Sequence, residues 1–152
     1  MVERRVGMLG GPQAKGNTVT KRILVVDDRA ELLDLLRRVL ELEDETYKVS
    51  ILRQGNGAVD HIREDPPDLV ILDLKLADAN GMDILQELRA SANTADIPVI
   101  VYTAAVMEAE SVARLVSGNP TRYNNVAVLQ KPFDLDALLE RVQVVLGAEH
   151  AT

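Results

Sequence analysis

The chain has no cysteine and no tryptophan, and only one phenylalanine and two histidines among its 152 residues. Without cysteine there is neither a disulfide nor a thiolate metal site. No run of about 18 apolar residues occurs, so no membrane-spanning helix is expected. Arg4 and Arg5 are followed by Gly10 and Gly11 before a signal-like apolar run can form, so no leader peptide is expected either. Basic residues are outnumbered 24 to 17, and a net charge of −7 argues against direct nucleic-acid binding by the domain. What is present, 47% hydrophobic and 27% charged residues, suits one globular domain with a full core, cytoplasmic by default.

Residues 1–20 are polar, basic and glycine-containing without periodicity, and read as a flexible tail. The domain spans 21–147, with 148–152 as a short C-terminal tail. Within it, strand and helix patterns alternate. Ile23-Leu24-Val25-Val26 is a continuous apolar run, as in a strand buried on both faces. Leu32, Leu36, Val39 and Leu40 then recur at helical spacing. Tyr47, Val49 and Ile51 alternate with their neighbours, the pattern of an edge strand. A short helix over Gly57 to Arg63 is stopped by Asp65-Pro66-Pro67. Leu69 to Leu72 is a third strand, and Ile84, Leu85 and Leu88 mark a helix after an Asn80-Gly81 turn. Ile97 to Tyr102 is a fourth strand, with Pro98 near its start. Val112, Leu115 and Val116 mark the next helix, and Val126 to Leu129 the fifth strand. Asp134 reads as the N-cap of a last helix lined by Leu135, Leu138, Leu139, Val142, Val145 and Leu146.

Five βα units in this length imply an α/β fold, a doubly wound five-stranded parallel sheet with helices on both faces. Such sheets bind ligands at the carboxyl ends of their strands. Asp27-Asp28, Asp73, Thr103 and Lys131-Pro132 all stand at predicted strand ends. Each has a bland reading: a helix cap, a turn residue, a β-branched strand end, a solvated lysine. All four holding together at matching strand ends is the weaker explanation. Three crowded carboxylates repel one another unless a cation sits among them. A hard divalent cation such as Mg²⁺ suits oxygen ligands of this kind. A carboxylate, a cation and an ammonium in one crevice can accept and hold a phosphoryl group.

The strings Ile23-Leu24-Val25-Val26-Asp27-Asp28, Leu69-Val70-Ile71-Leu72-Asp73-Leu74, Val99-Ile100-Val101-Tyr102-Thr103-Ala104 and Lys131-Pro132-Phe133, with Gly81 eight residues after Asp73, resemble the receiver domain of two-component response regulators (CheY-like family). The resemblance covers about residues 21–147 and implies the flavodoxin-like strand order 2-1-3-4-5. It further implies that Asp73 is the phosphoacceptor, taking a phosphoryl group from a sensor histidine kinase or phosphotransfer protein. Asp28, Asp73 and the backbone carbonyl of Lys75 would bind Mg²⁺, with Asp27 assisting through water. Thr103 and Lys131 would contact the phosphoryl group, and Pro132 would follow a cis peptide. The chain would be a phosphoacceptor rather than an enzyme. Its output would be contact with an unknown downstream protein, and a homodimer is allowed.

The chain departs from that pattern in several places. Where the family usually has an aromatic residue two positions before the lysine of the fifth strand, this chain has Leu129, so the usual Thr-aromatic switch is not expected. Tyr102 should face the other side of the sheet from Thr103 and is given no role. The Thr103–Lys131 interval is longer than the family norm, with the excess expected in Ser117–Asn125, a tolerated loop insertion or a partner surface. Ala77 replaces a frequent proline. Lys75 is expected at the pocket mouth, where a cation could attract phosphate or hinder hydrolytic water. His61 and His150 carry no visible role.

Two other readings compete. A receiver-like interaction module not switched by phosphorylation is favoured by Leu129 and the insertion, and opposed by the intact set of Asp27, Asp28, Asp73, Thr103 and Lys131. A doubly wound enzyme is disfavoured because no glycine-rich phosphate loop follows the first strand. A phosphatase with an aspartate nucleophile would need a second aspartate where Arg29 stands.

Overall fold

The computed structural model describes residues 19–130 and 135–147. In order along the chain, β1 (Lys21–Val26) leads to α1 (Ala30–Glu43), and β2 (Tyr47–Leu52) to α2 (Ala58–Glu64). Then β3 (Leu69–Leu72) leads to α3 (Gly81–Ala90), β4 (Val99–Thr103) to α4 (Val106–Gly118), and β5 (Val126–Gln130) to α5 (Leu135–Gly147). The five strands form one sheet in the order β2-β1-β3-β4-β5, and every neighbouring pair is parallel. The predicted fold class and strand order are therefore both observed.

The apolar pattern explains the layering. Alternate residues of a strand face opposite sides of the sheet. Leu24 and Val26 of β1 join Val70, Leu72, Val99 and Val101 in a core that also takes Ile62 of α2, Leu85 and Leu88 of α3 and Val112 of α4. Ile23 and Val25 join Ile71, Ile100 and Tyr102 in a second core, closed by Leu33, Leu36 and Leu40 of α1 and by Leu138, Val142 and Leu146 of α5. The inner strands β1, β3 and β4 are thus apolar on both faces. Edge strand β2 alternates instead, with Tyr47 and Val49 buried and Lys48 and Ser50 exposed.

Several boundaries differ from expectation by one or two residues, and two differences bear on the site's surroundings. β4 begins at Val99 rather than Ile97, and Pro98, which has no N–H to give, contributes only its carbonyl to the Val70 N–H at 3.0 Å. The long connection before β5 is partly helical, because α4 runs to Gly118 before the chain turns. That turn is pinned to the core by Tyr123, which is buried. The guanidinium of Arg89, itself buried on α3, donates to the carbonyls of Ile97 (2.7 Å) and Asn124 (3.1 Å). It also reaches the Thr94 carbonyl at 3.4 Å. Burial draws the Arg89 pKa below the usual arginine range, and Asp96 partly offsets this. The extra length is therefore an anchored feature of the fold.

Candidate functional site at the carboxyl end of the sheet

The register of β1, β3 and β4 brings the acidic residues together. Val26 pairs with Leu72 and Leu72 with Val101, so Asp27 and Asp73 leave adjacent strands at the same level. The Asp73 N–H donates to the Val26 carbonyl at 3.0 Å, which extends the ladder into the site. Asp27 and Asp73 are 2% and 6% exposed, which is rare for carboxylates. Thr103, at the end of β4, is fully buried. Three of the predicted positions therefore converge as β-strand ends should. Lys131, Pro132, Phe133 and Asp134 lie outside the described residues, as do residues 1–18 and 148–152 of the tails.

Each carboxylate has a backbone partner. Asp27 Oδ1 accepts the Arg29 N–H at 3.0 Å, and Asp73 Oδ1 accepts the Lys75 N–H at 3.2 Å. Asp28 is exposed, and its Oδ2 accepts the Ala77 N–H at 2.7 Å. Neither Asp27 nor Asp28 caps α1: Arg29 stands at the cap position, with no side-chain cap bond. Among the described residues, no three His, Asp or Glu side chains are gathered at metal-binding geometry. The donor set is nevertheless oxygen only and anionic, the chemistry a hard divalent cation accepts.

The β3–α3 loop that carries Lys75 and Ala77 is held from several sides. Lys75 and Asn80 bridge across it, and the Gly81 N–H donates to the Leu74 carbonyl at 2.8 Å. The Asn80 side chain then caps α3 by accepting the Met82 N–H at 2.9 Å. Position 81 has to be glycine, because a Cβ there would collide with the Asp73 carbonyl and lie 2.6 Å from Leu74 Cα. The predicted turn glycine is thus set by close approach to the phosphoacceptor candidate's own backbone.

One residue beside the site escaped sequence reasoning. Asp78 accepts the Gly55 and Asn56 N–H groups, each at 2.9 Å, and so ties the β2–α2 loop to the β3–α3 loop. Those bonds hold the Asp78 carboxyl below its ordinary pKa. An aspartate in a loop announces no such partner 23 residues away. Tyr102 does pack on the α1–α5 side, as expected, but its phenol feels the pocket. Burial raises its pKa most, followed by the charges of Asp27 and Asp73, against a lowering by Arg29.

The structure corrects the reading of Leu129. Leu129 pairs in register with Tyr102 and packs with it on the α1–α5 side. Thr103 pairs with Gln130, and Val101 with Val128. The alternation of side chains puts Val128 on the face that Thr103 shares, against the core under α3 and α4. On β5 the residues that share this face are Gln130, directly opposite Thr103, and Val128, neither of them aromatic, and Leu129 could not couple to Thr103.

A model of the response regulator receiver domain matches residues 23–143. The chain belongs to the response regulator receiver domain family. The receiver is 36% identical over 125 residues to the response regulator MprA of Mycolicibacterium vanbaalenii, a match covering 82% of this chain and 50% of that protein. The chain thus spans about half the length of the curated relatives it matches. The HemR receiver domain from Leptospira biflexa superposes with a TM-score of 0.67 at 30% identity, covering 84% of this receiver and 94% of that chain. The receiver domain of a sensor histidine kinase from Pseudomonas aeruginosa, with a magnesium ion coordinated in its active-site cleft, gives a TM-score of 0.66 at 23% identity. That match covers 85% of this receiver and 99% of that chain, and at its identity it speaks for the fold alone.

Proposed function

We propose that this receiver takes a phosphoryl group onto Asp73 from the phosphohistidine of a sensor histidine kinase or phosphotransfer protein. It then signals through altered contact with a downstream protein. The observation that carries this reading is the placement of Asp73, a buried carboxylate at the carboxyl end of β3, beside buried Asp27 and Thr103. A carboxylate oxygen of Asp73 attacks phosphorus and forms a P–O bond. The P–N bond to the imidazole breaks, its electron pair stays on nitrogen, and that nitrogen takes up a proton. Asp28, Asp73 and the Lys75 carbonyl would hold Mg²⁺, with Asp27 acting through water. The cation would offset the charge that otherwise repels an anionic donor from this pocket. The Lys131 ammonium would neutralise the same charge. The Thr103 hydroxyl, which accepts the Ala105 N–H at 3.1 Å, would turn toward the phosphoryl oxygen. The chain would act as a phosphoacceptor rather than as an enzyme, in the cytoplasm and without direct contact with nucleic acid or membrane. No helix among the described residues is long and apolar enough to cross a membrane.

Transfer adds about −1.5 to −2 charge at the site. The lack of an aromatic residue on the Thr103 face of β5, where Val128 and Gln130 stand, favours a second reading, a receiver-like module that is not switched by phosphate. Trapping decides between them. After treatment with acetyl phosphate and Mg²⁺, borohydride reduces an aspartyl phosphate to homoserine, and peptide mass spectrometry should find homoserine at position 73. Unmodified Asp73 with either small or protein donors would leave only the second reading.

A further inference from the structure

Lys75 follows Asp73 by two residues, and its backbone N–H already bonds the Asp73 carboxylate. Its side chain leaves the β3–α3 loop and reaches Glu108 in the first turn of α4, with Nζ 3.7 Å from Oε2. Among the described residues this is the ion pair that joins the Asp73 loop to α4. Both side chains are substantially exposed, 71% for Lys75 and 41% for Glu108. Such a pair is weak and screened by salt, worth at most about fivefold in an equilibrium. A lysine ammonium on a flexible stem can exchange one anion for another with little rearrangement.

Glu108 lies in the first turn of α4. Val106 and Met107 beside it are exposed, at 52% and 77%. The first turn of α4 has no side-chain cap, and Ala105 stands at its cap position. Two contacts tie it to the site: the Ala105 N–H to Thr103 Oγ1 and the Glu108–Lys75 pair. On the proposed function, Thr103 turns toward the phosphoryl group, which loosens the first tie. A phosphoryl group on Asp73 would also present up to two negative charges within reach of a lysine two residues away.

We propose that Glu108 is a positioning residue that holds the Lys75 ammonium at the pocket mouth, and that an anion on Asp73 takes that ammonium from Glu108 and frees the first turn of α4. The inference rests on the phosphoacceptor reading of Asp73. It gives this receiver a route from pocket to surface that needs no aromatic residue on β5, where Val128 stands. The surface released carries Val106 and Met107.

The test uses Mg²⁺ with beryllofluoride, a phosphoryl mimic, followed by ¹⁹F NMR for affinity and by amide hydrogen exchange in α4. Glu108→Gln removes the competitor and should tighten beryllofluoride binding by up to about fivefold. Lys75→Met should weaken it. In a Lys75→Met background, Glu108→Gln should have no further effect, because Glu108 acts only through Lys75. Amides of the first turn of α4 should exchange faster in Glu108→Gln without ligand, approaching the rate of the liganded parent protein. Binding to the parent with no response to Glu108→Gln, or the same response with Lys75 removed, would overturn this inference and leave the phosphoacceptor reading intact. If the parent binds no beryllofluoride and accepts no phosphoryl group, both fall together.

Discussion

The Asp28 carboxylate accepts the Ala77 N–H at 2.7 Å across 49 residues of sequence. The loop after β1 is thereby fastened to the loop after β3, and the same carboxylate is a candidate ligand for Mg²⁺. The two tasks separate in Asp28→Asn. An asparagine oxygen still accepts the amide but offers no charge. We expect thermal stability to be unchanged or slightly higher, since one of three neighbouring carboxylates is neutralised. Mg²⁺ affinity should fall by at least about tenfold, and a metal titration followed by amide shifts would measure it.

Gly81 is the steric neighbour of the phosphoacceptor candidate. In Gly81→Ala the new methyl group meets backbone atoms of Asp73 and Leu74, which cannot move aside as a flexible side-chain tip could. We expect a loss of about 2–3 kcal/mol, seen as a lower denaturant midpoint with an unchanged slope. Phosphoryl acceptance should also fall, because the shift lands on Asp73 itself.

Arg89 anchors the lengthened α4–β5 connection. Arg89→Met keeps much of the apolar stem and leaves the Ile97 and Asn124 carbonyls without their donor. A cost of about 2–3 kcal/mol is expected. Lysine should rescue it poorly, since a single ammonium cannot fork to carbonyls on two segments. Thermal unfolding of the three proteins would show the order Arg, Lys, Met.

The Tyr102 phenol reports the charge of the pocket from the opposite face of the sheet. Its pKa is raised in the folded protein, so the neutral form is favoured there. The unfolded chain releases this proton near pH 10 while the folded chain retains it. The stability contributed by the neutral phenol is thus complete below pH 10 and is lost as pH rises from there through the raised folded value. Asp73→Asn removes one of the charges that raise it. An ultraviolet titration, with Tyr102→Phe to assign the signal, should show Tyr102 ionising at lower pH in that variant. An unshifted titration would mean that Asp73 does not act on Tyr102.

The fold was legible because its signals are periodic and local. Apolar runs at Ile23–Val26, Leu69–Leu72 and Val99–Tyr102, each followed by a helical pattern, leave few topologies open. The strand-end positions of Asp27, Asp73 and Thr103 came with them, since a parallel sheet gathers its carboxyl ends. The parts that were not legible depend on partners distant in sequence. Asp78 holds Gly55 and Asn56, and Arg89 holds Asn124, through bonds that neither local sequence announces. Leu129 stands where the aromatic switch residue is expected, but a one-residue offset along a strand reverses the side. Only the pairing with Tyr102 fixed it.

Intact mass shows whether Asp73 accepts a phosphoryl group with the help of Mg²⁺. The protein and its Asp73→Asn variant would be incubated with acetyl phosphate, with and without Mg²⁺, and then with a phosphorylated histidine kinase domain. A gain of one phosphoryl group that requires both Mg²⁺ and Asp73 is expected. A gain that persists in Asp73→Asn, or no gain from either donor, would contradict it.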